Sequence, residues 1–124
     1  GIGSSDLTSS TFKTCKITSL HLDGSNLSHT KIRNSSWHSS FLIGCEFTNA
    51  SFYNCDLPNI GFHTTNLSET IFNKCCLDNS SFVYPKPYSS WMENTYFISC
   101  SFHECHMLYL KNISQLFFLG FKYS

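Results

Sequence analysis

The chain has 124 residues and a mass of 14.1 kDa, enough for one hydrophobic core and one domain. Eight basic residues balance eight acidic ones and only 13% of positions are charged, so no net field draws the chain to nucleic acid or a charged membrane surface. Twelve Phe stand against one Ala and one Val, beside 21 Ser, 10 Thr and 10 Asn, a composition foreign to helical and doubly wound domains.

In chain order, Gly1 to Ser4 reads as an expression-tag remnant, with no secretory signal pattern. A large apolar residue then recurs every fifth position: Leu7, Phe12, Ile17, Leu22, Leu27, Ile32, Trp37, Leu42, Phe47, Phe52, Leu57, Phe62, Leu67, Phe72, Leu77 and Phe82. If about a third of positions were large and apolar, such a run would arise on the order of once in ten million trials. Two residues before each sits a second column, Ser5, Ser10, Cys15 and so on to Ser80, made almost wholly of Ser, Thr, Cys and Ala. A period of five fits neither the 3.6 of a helix nor the 2.0 of a long strand, so the chain must turn every five residues. Four such sides make a coil of twenty, with the small and the large residue pointing inward. Successive coils then stack at the spacing of neighbouring strands, about 4.8 Å. Reading every twentieth residue groups Phe12, Ile32, Phe52, Phe72 and Met92 in one inward column, Ile17, Trp37, Leu57, Leu77 and Phe97 in another, and Leu22, Leu42, Phe62, Phe82 and Phe102 in a third. Leu7, Leu27, Phe47 and Leu67 make the fourth. The expected fold is all-β: a quadrilateral parallel β-helix of about five coils over 5–107.

Between Phe82 and Met92, Pro85 and Pro87 occupy the inward positions, and proline cannot donate to the ladder. Residues 83–91 are therefore expected to loop outward, leaving Tyr84, Tyr88 and Trp91 partly exposed. The phase resumes at Met92, Phe97, Phe102 and Met107. From 108 to 124 it lapses, and the spacing of Leu108, Leu110, Ile113, Leu116, Phe117, Leu119 and Phe121 suits a short helix capping the last coil, with a dimerisation surface as the rival use. The run Leu116 to Phe121 is far below the roughly 20 apolar residues that cross a bilayer.

Ser5-Asp6-Leu7, Ser25-Asn26-Leu27, Cys55-Asp56-Leu57 and Thr65-Asn66-Leu67 resemble the Ala-(Asp/Asn)-Leu-X-X unit of the pentapeptide-repeat family, over residues 5 to 107. The resemblance implies a right-handed quadrilateral β-helix. Lys16, His21, Lys31, Phe41, Gly61 and Ile71 depart from the family's central residue.

The residues that carry chemistry fit the repeat. Six of seven cysteines fall in the small inward column, where Cys serves as a small hydrophobe, and Cys55 and Cys75 stack within reach of a disulfide. Cys76 alone faces outward and is the candidate reactive thiol. In the patch Cys100 to His106, Cys100 and Cys105 point inward while His103 and His106 point outward, so no metal site is expected. No nucleophile and base share a face and the bore is filled, so neither catalytic residues nor a cofactor are expected. The candidate binding residues are Tyr84, Lys86, Tyr88 and Trp91, aromatic or charged groups held between prolines.

The expected function is a non-enzymatic module that binds a protein partner. The Ser-, Asn- and Phe-rich composition resembles the family's secreted bacterial effectors, some of which use the rod to select substrates for a HECT-like ubiquitin ligase; that resemblance implies action in the cytoplasm, or in a host cell after secretion. Two alternatives stand beside it. Family members that mimic DNA on gyrase carry an acidic surface, which a neutral chain does not supply. A luminal or extracellular receptor-like domain would use the sequons at Asn26, Asn34, Asn49, Asn66, Asn79 and Asn112, and Asn94 to Phe102 is similar to a unit in the luminal pentapeptide domain of synaptic vesicle glycoproteins.

Overall fold

The computed structural model describes residues 5–84, 89–108 and 116–119. Its strands are three or four residues long and all pair in parallel. A six-stranded sheet is formed by β1 (Thr11–Lys13), β3 (Lys31–Arg33), β5 (Ser51–Tyr53), β6 (Ile71–Asn73), β8 (Thr95–Ile98) and β10 (Leu116–Leu119), in that order. Two further pairs join β2 (Lys16–Thr18) to β4 (Ser36–His38) and β7 (Ser81–Val83) to β9 (His106–Leu108). Residues twenty apart are register partners, as Phe12, Ile32, Phe52 and Phe72 show. Isolated bridges such as Asp6 to Asn26, Asn26 to Glu46 and Glu46 to Asn66 continue the ladder where no strand is long enough to be named. The result is a four-sided parallel β-helix of about five coils, as the five-residue phase predicts. The sides are numbered here from the one holding Leu7; the second carries the six-stranded sheet.

The bore is filled by ladders of like residues. On the second side Phe52, Phe72 and Phe97 stack face to face, with centroids 4.7 and 5.0 Å apart and planes within 9°. Phe62 and Phe82 stack on the fourth side at 4.8 Å, and edge-to-face contacts such as Phe62 to Phe72 at 5.8 Å knit the two rows together. The small inward residues do more than leave room. Thr65, Thr70 and Ser80 donate their hydroxyls to the carbonyls of Leu42, Phe47 and Leu57 on the preceding coil, and the Ser35 and Ser80 hydroxyls accept from the N–H groups of Cys15 and Ile60. These bonds serve backbone groups at the corners, some of which, such as the Cys15 and Ile60 N–H groups, have their partner in the hydroxyl, and this gives hydroxyls a use there that alanine lacks.

The corners lie two residues after each large one and adopt the left-handed conformation: sixteen non-glycine residues, from Ser9 to Glu104, together with Gly24 and Gly44, have φ between 48° and 73°. Asn fills many of these positions because its short polar side chain tolerates that region. On the first side, Asp6, Asn26 and Asn66 accept the backbone N–H two residues on, which fixes the entry to the turn.

The structure corrects three expectations. First, Phe72 pairs with Phe97 and Phe82 with Met107, 25 residues apart rather than 20, while Leu67 N–H reaches Trp91 C=O. Met92 therefore continues the column of Leu67, Phe97 that of Phe72, and Phe102 that of Leu77. This turn takes twenty-five residues instead of twenty, and because the excess equals one side, the phase survives while the columns shift by one. Second, Tyr84 is fully buried rather than partly exposed, and its hydroxyl donates to the Thr65 carbonyl. Phe82 and Tyr84 share the inward face of one extended segment, so the ring fills the bore where the chain departs from the coil. Third, residues 116–119 are a strand and not part of a helix: β10 pairs with β8, and Phe118 stacks on Phe97 at 5.1 Å, extending the aromatic ladder by one rung. Ser89–Met92 is a 3-10 helix that returns Met92 to the core. The remainder of the expected cap and loop tip, and Gly1 to Ser4, lie outside the described residues.

Candidate functional site

With the bore filled, recognition falls to the outward positions, two on each side of every coil. Of the four candidate binding residues, Tyr84 is withdrawn from the surface; burial pushes its hydroxyl well above the ordinary phenol range. Trp91 is half-buried against the core, and its carbonyl serves the ladder. Lys86 and Tyr88 lie outside the described residues. The structure thus does not bring the four together as an exposed cluster.

The seven cysteines are free thiols. Cys55, Cys75 and Cys100 form a stacked row on the inward face, each donating to a carbonyl of the preceding coil. Interaction with the two flanking thiols and burial push the middle Cys75 thiol up, and interaction with Cys75 lowers those of Cys55 and Cys100. Burial pushes Cys45 and Cys105 up to about 11. Cys76 does occupy an outward position, bridging Asp56 and Ser101 on the neighbouring coils, but it is half-buried, and that burial raises its thiol above the ordinary value. Cys15 and Cys105 are exposed to a similar degree, so position alone does not single out Cys76.

The exposed large apolar side chains that point outward lie on two sides, while Phe118, exposed as well, is the end rung of the inward ladder. Phe41 and Ile43 project from the fourth, 43% and 41% exposed. The Phe41 ring lies across Gly61, where an added Cβ would come within 3.1 Å of it, and the His21 ring packs 5.3 Å away. A side chain at 61 would press on the ring and shift it by a few tenths of an ångström. On the second side Tyr53, Ile71 and Leu119 are exposed, and the Tyr53 ring has the Arg33 guanidinium at 5.9 Å and the Lys74 ammonium at 5.8 Å. The third side carries an ion pair between His38 and Asp56 at 3.0 Å. Nearby, Asn34, Asn54, Asp56 and Lys74 help to line an open trough of about 380 Å³ along the corner between the second and third sides. Among the described residues no three His, Cys, Asp or Glu side chains gather as metal ligands. Neither exposed group was singled out from the sequence, although the phase places Phe41, Ile43, Tyr53 and Ile71 at outward positions where polar residues are the rule.

Comparison with known proteins agrees with this geometry. HetL, a pentapeptide-repeat protein involved in heterocyst differentiation regulation in the cyanobacterium Nostoc sp. strain PCC 7120, superposes with a TM-score of 0.54 over 87% of this chain and 50% of its own, at 14% identity. This chain therefore spans about half of HetL's length. Rfr23, from the cyanobacterium Cyanothece 51142, gives a TM-score of 0.36 at 12% identity over 85% of this chain and 89% of its own. QnrB1, a plasmid-mediated fluoroquinolone resistance protein, gives 0.26 at 8% over 86% and 78%. No curated protein matches the chain. The family described as pentapeptide repeats matches in eight copies over residues 21–59 and 45–82, half of the sequence, and the chain belongs to that family.

Proposed function

We propose that the chain is a non-enzymatic rod that binds a protein partner through its outer sides. The observation that carries this is the exposure of Phe41, Ile43, Tyr53, Ile71 and Leu119 at outward positions of a rod whose inward columns are buried through its middle coils. Apolar side chains exposed together on one face, Phe41 with Ile43 on the fourth side and Tyr53, Ile71 and Leu119 on the second, are the physical mark of an interface. A filled bore supports the non-enzymatic part, since catalysis needs a concave site that excludes water. The Ser-, Asn- and Phe-rich composition supports a targeting domain of a secreted bacterial effector, acting inside a host cell with any catalytic lobe elsewhere. Mimicry of duplex DNA on gyrase would need continuous acidic charge, and the longest sheet of this rod displays cations instead.

The test is affinity capture from animal-cell and bacterial lysates with the wild type beside a Phe41→Ser/Ile43→Ser/Ile71→Ser variant whose circular dichroism is unchanged. A protein retained by the wild type and lost by the variant is the expected result. Equal recovery by both, or no enrichment by either, would overturn the reading.

A further inference from the structure

The chain is neutral as a whole, but its cations are concentrated on one side. Four of the five described Lys and Arg side chains lie on the second side or at its corner, and the fifth, Lys16, lies on the third. Lys13, Lys31 and Arg33 project from β1 and β3, Lys74 stands at the corner after β6, and Lys16 opens β2 just past that corner. No Asp or Glu stands on the strands of the second side: Asp6, Glu46 and Glu93 lie on the first, Asp56 and Asp78 on the third and Asp23 on the fourth, while Glu69 stands at the corner that enters the second side ahead of Ile71 and Glu104 at the corner that ends the third.

This arrangement opposes folding. Lys13 and Arg33 are register partners on neighbouring strands, and like charges directly opposite each other are destabilising. The ion pair among the described residues joins His38 to Asp56, so none of the five cations has a carboxylate partner there. The Arg33 and Lys74 head groups lie over Tyr53 instead. Past Tyr53 the same sheet turns apolar, with Ile71 40% and Leu119 48% exposed. One continuous face thus has a cationic half on β1 and β3, an aromatic boundary on β5 and, on β6 to β10, a mainly apolar half in which Ile71, Ile98 and Leu119 stand beside Asn73 and Tyr96, with Lys74 at its corner.

We propose that this face binds an acidic and aliphatic segment of the partner protein, with its carboxylates over β1 and β3 and its apolar side chains over Ile71 and Leu119. The proposal rests on the reading of the chain as a protein-binding rod and names the surface it uses. Six strands at about 4.8 Å make a face of about 24 Å, which an extended segment of about seven residues spans at ~3.3 Å each. Charge complementarity selects the acidic half of the ligand. The mainly apolar half selects a protein over a polyphosphate chain, whose backbone would cover Ile71 and Leu119 with charge and bury nothing apolar.

The experiment is a fluorescence-anisotropy titration with a labelled pool of seven-residue peptides, three acidic positions, a glycine and three aliphatic positions, together with the reversed order. Polyglutamate, a thymidine oligonucleotide and phosphatidylserine vesicles are the rival probes. The peptide pool should bind the wild type and Phe41→Ser alike, weaken about tenfold or more with Lys31→Glu/Arg33→Glu and with Ile71→Ser/Leu119→Ser, and weaken as salt rises from about 50 to about 300 mM. Without any ligand, Arg33→Glu and Arg33→Ser should raise the thermal midpoint at low salt by relieving the repulsion from Lys13. Binding unchanged by charge reversal, tighter binding of any rival probe, or an unmoved thermal midpoint would overturn the proposal. If a lysate partner is lost with the Phe41/Ile43/Ile71 variant yet kept by Lys31→Glu/Arg33→Glu, the binding rod stands and this face is not its cationic contact.

Discussion

Replacing Phe72 with alanine tests whether the aromatic ladder is what holds the coils together. The ring is fully buried, stacked on Phe52 and Phe97 at 4.7 and 5.0 Å and met edge-on by Phe62 at 5.8 Å. Loss of a buried Phe costs about 3–5 kcal/mol, more where the surroundings cannot close on the cavity. Here they cannot, because backbone ladders pin the coils above and below at the spacing of Ser51, Ile71 and Tyr96. The two stacked pairs add about 0.5–1.5 kcal/mol each beyond area, so the upper end, about 5 kcal/mol, is expected. Phe12 occupies the same column at the first coil, is only partly buried, and has one ring contact, with Trp37 at 5.9 Å; its alanine variant should lose about 1–2 kcal/mol. In urea unfolding followed by far-UV circular dichroism, a slope of about 2 kcal/mol/M would place the Phe72→Ala midpoint about 2.5 M below wild type and that of Phe12→Ala less than about 1 M below. Equal losses at unchanged slope would refute the reasoning, since burial along the column would then not set the cost.

Three other outcomes follow from the same geometry. Gly44 has a φ of 70° with only the Gly24 nitrogen, 4.0 Å away, near an added Cβ, so Gly44→Ala should cost about 1 kcal/mol through backbone strain alone, while Thr14→Asn, replacing a β-branched residue at φ 58°, should stabilise by about 0.5–1 kcal/mol; thermal midpoints measure both. Burial raises the Asp78 carboxyl, but the His103 N–H and the Ser101 hydroxyl, each 2.9 Å from its Oδ1, more than offset this and hold it below the usual value of 3.8. That depressed group stabilises the folded state above the unfolded carboxyl's pKa and stops doing so as pH falls through its folded one, so the deficit of Asp78→Ala in urea should hold from pH 7 down to about 5 and narrow below about 4; a constant deficit to pH 2 would contradict it. A bulky maleimide on the native protein should label Cys15, Cys76 and Cys105 before Cys45, Cys55, Cys75 and Cys100, read by peptide mass spectrometry, and uniform labelling would show the inward column to be misplaced.

Much of this fold is legible in the order of residues because one local rule repeats. A large side chain at every fifth position and a small one two places earlier leave only a four-sided coil, and the register partners of Phe12, Ile32, Phe52 and Phe72 obey it. The left-handed corners also left a trace, in Asn34, Asn49, Asn54, Asn59, Asn79 and Asn94, all at the corner phase. The cationic face left a fainter one, since Lys13, Lys31 and Arg33 stand at outward phases but reach one side only when the coil is closed.

By itself the sequence determined the period, the inward columns up to Phe82 and the solenoid class, all consequences of local alternation and steric size. The tertiary structure alone decided how many residues each turn takes. Phase cannot distinguish a turn of twenty residues from one of twenty-five; the hydrogen bond from Leu67 to Trp91 can, and it moves Met92, Phe97 and Phe102 one side onward. It likewise decided that Tyr84 turns inward to reach Thr65 and that 116–119 adds a strand to β8, because an open bore and an unpaired sheet edge reward whichever apolar or hydrogen-bonding segment can reach them.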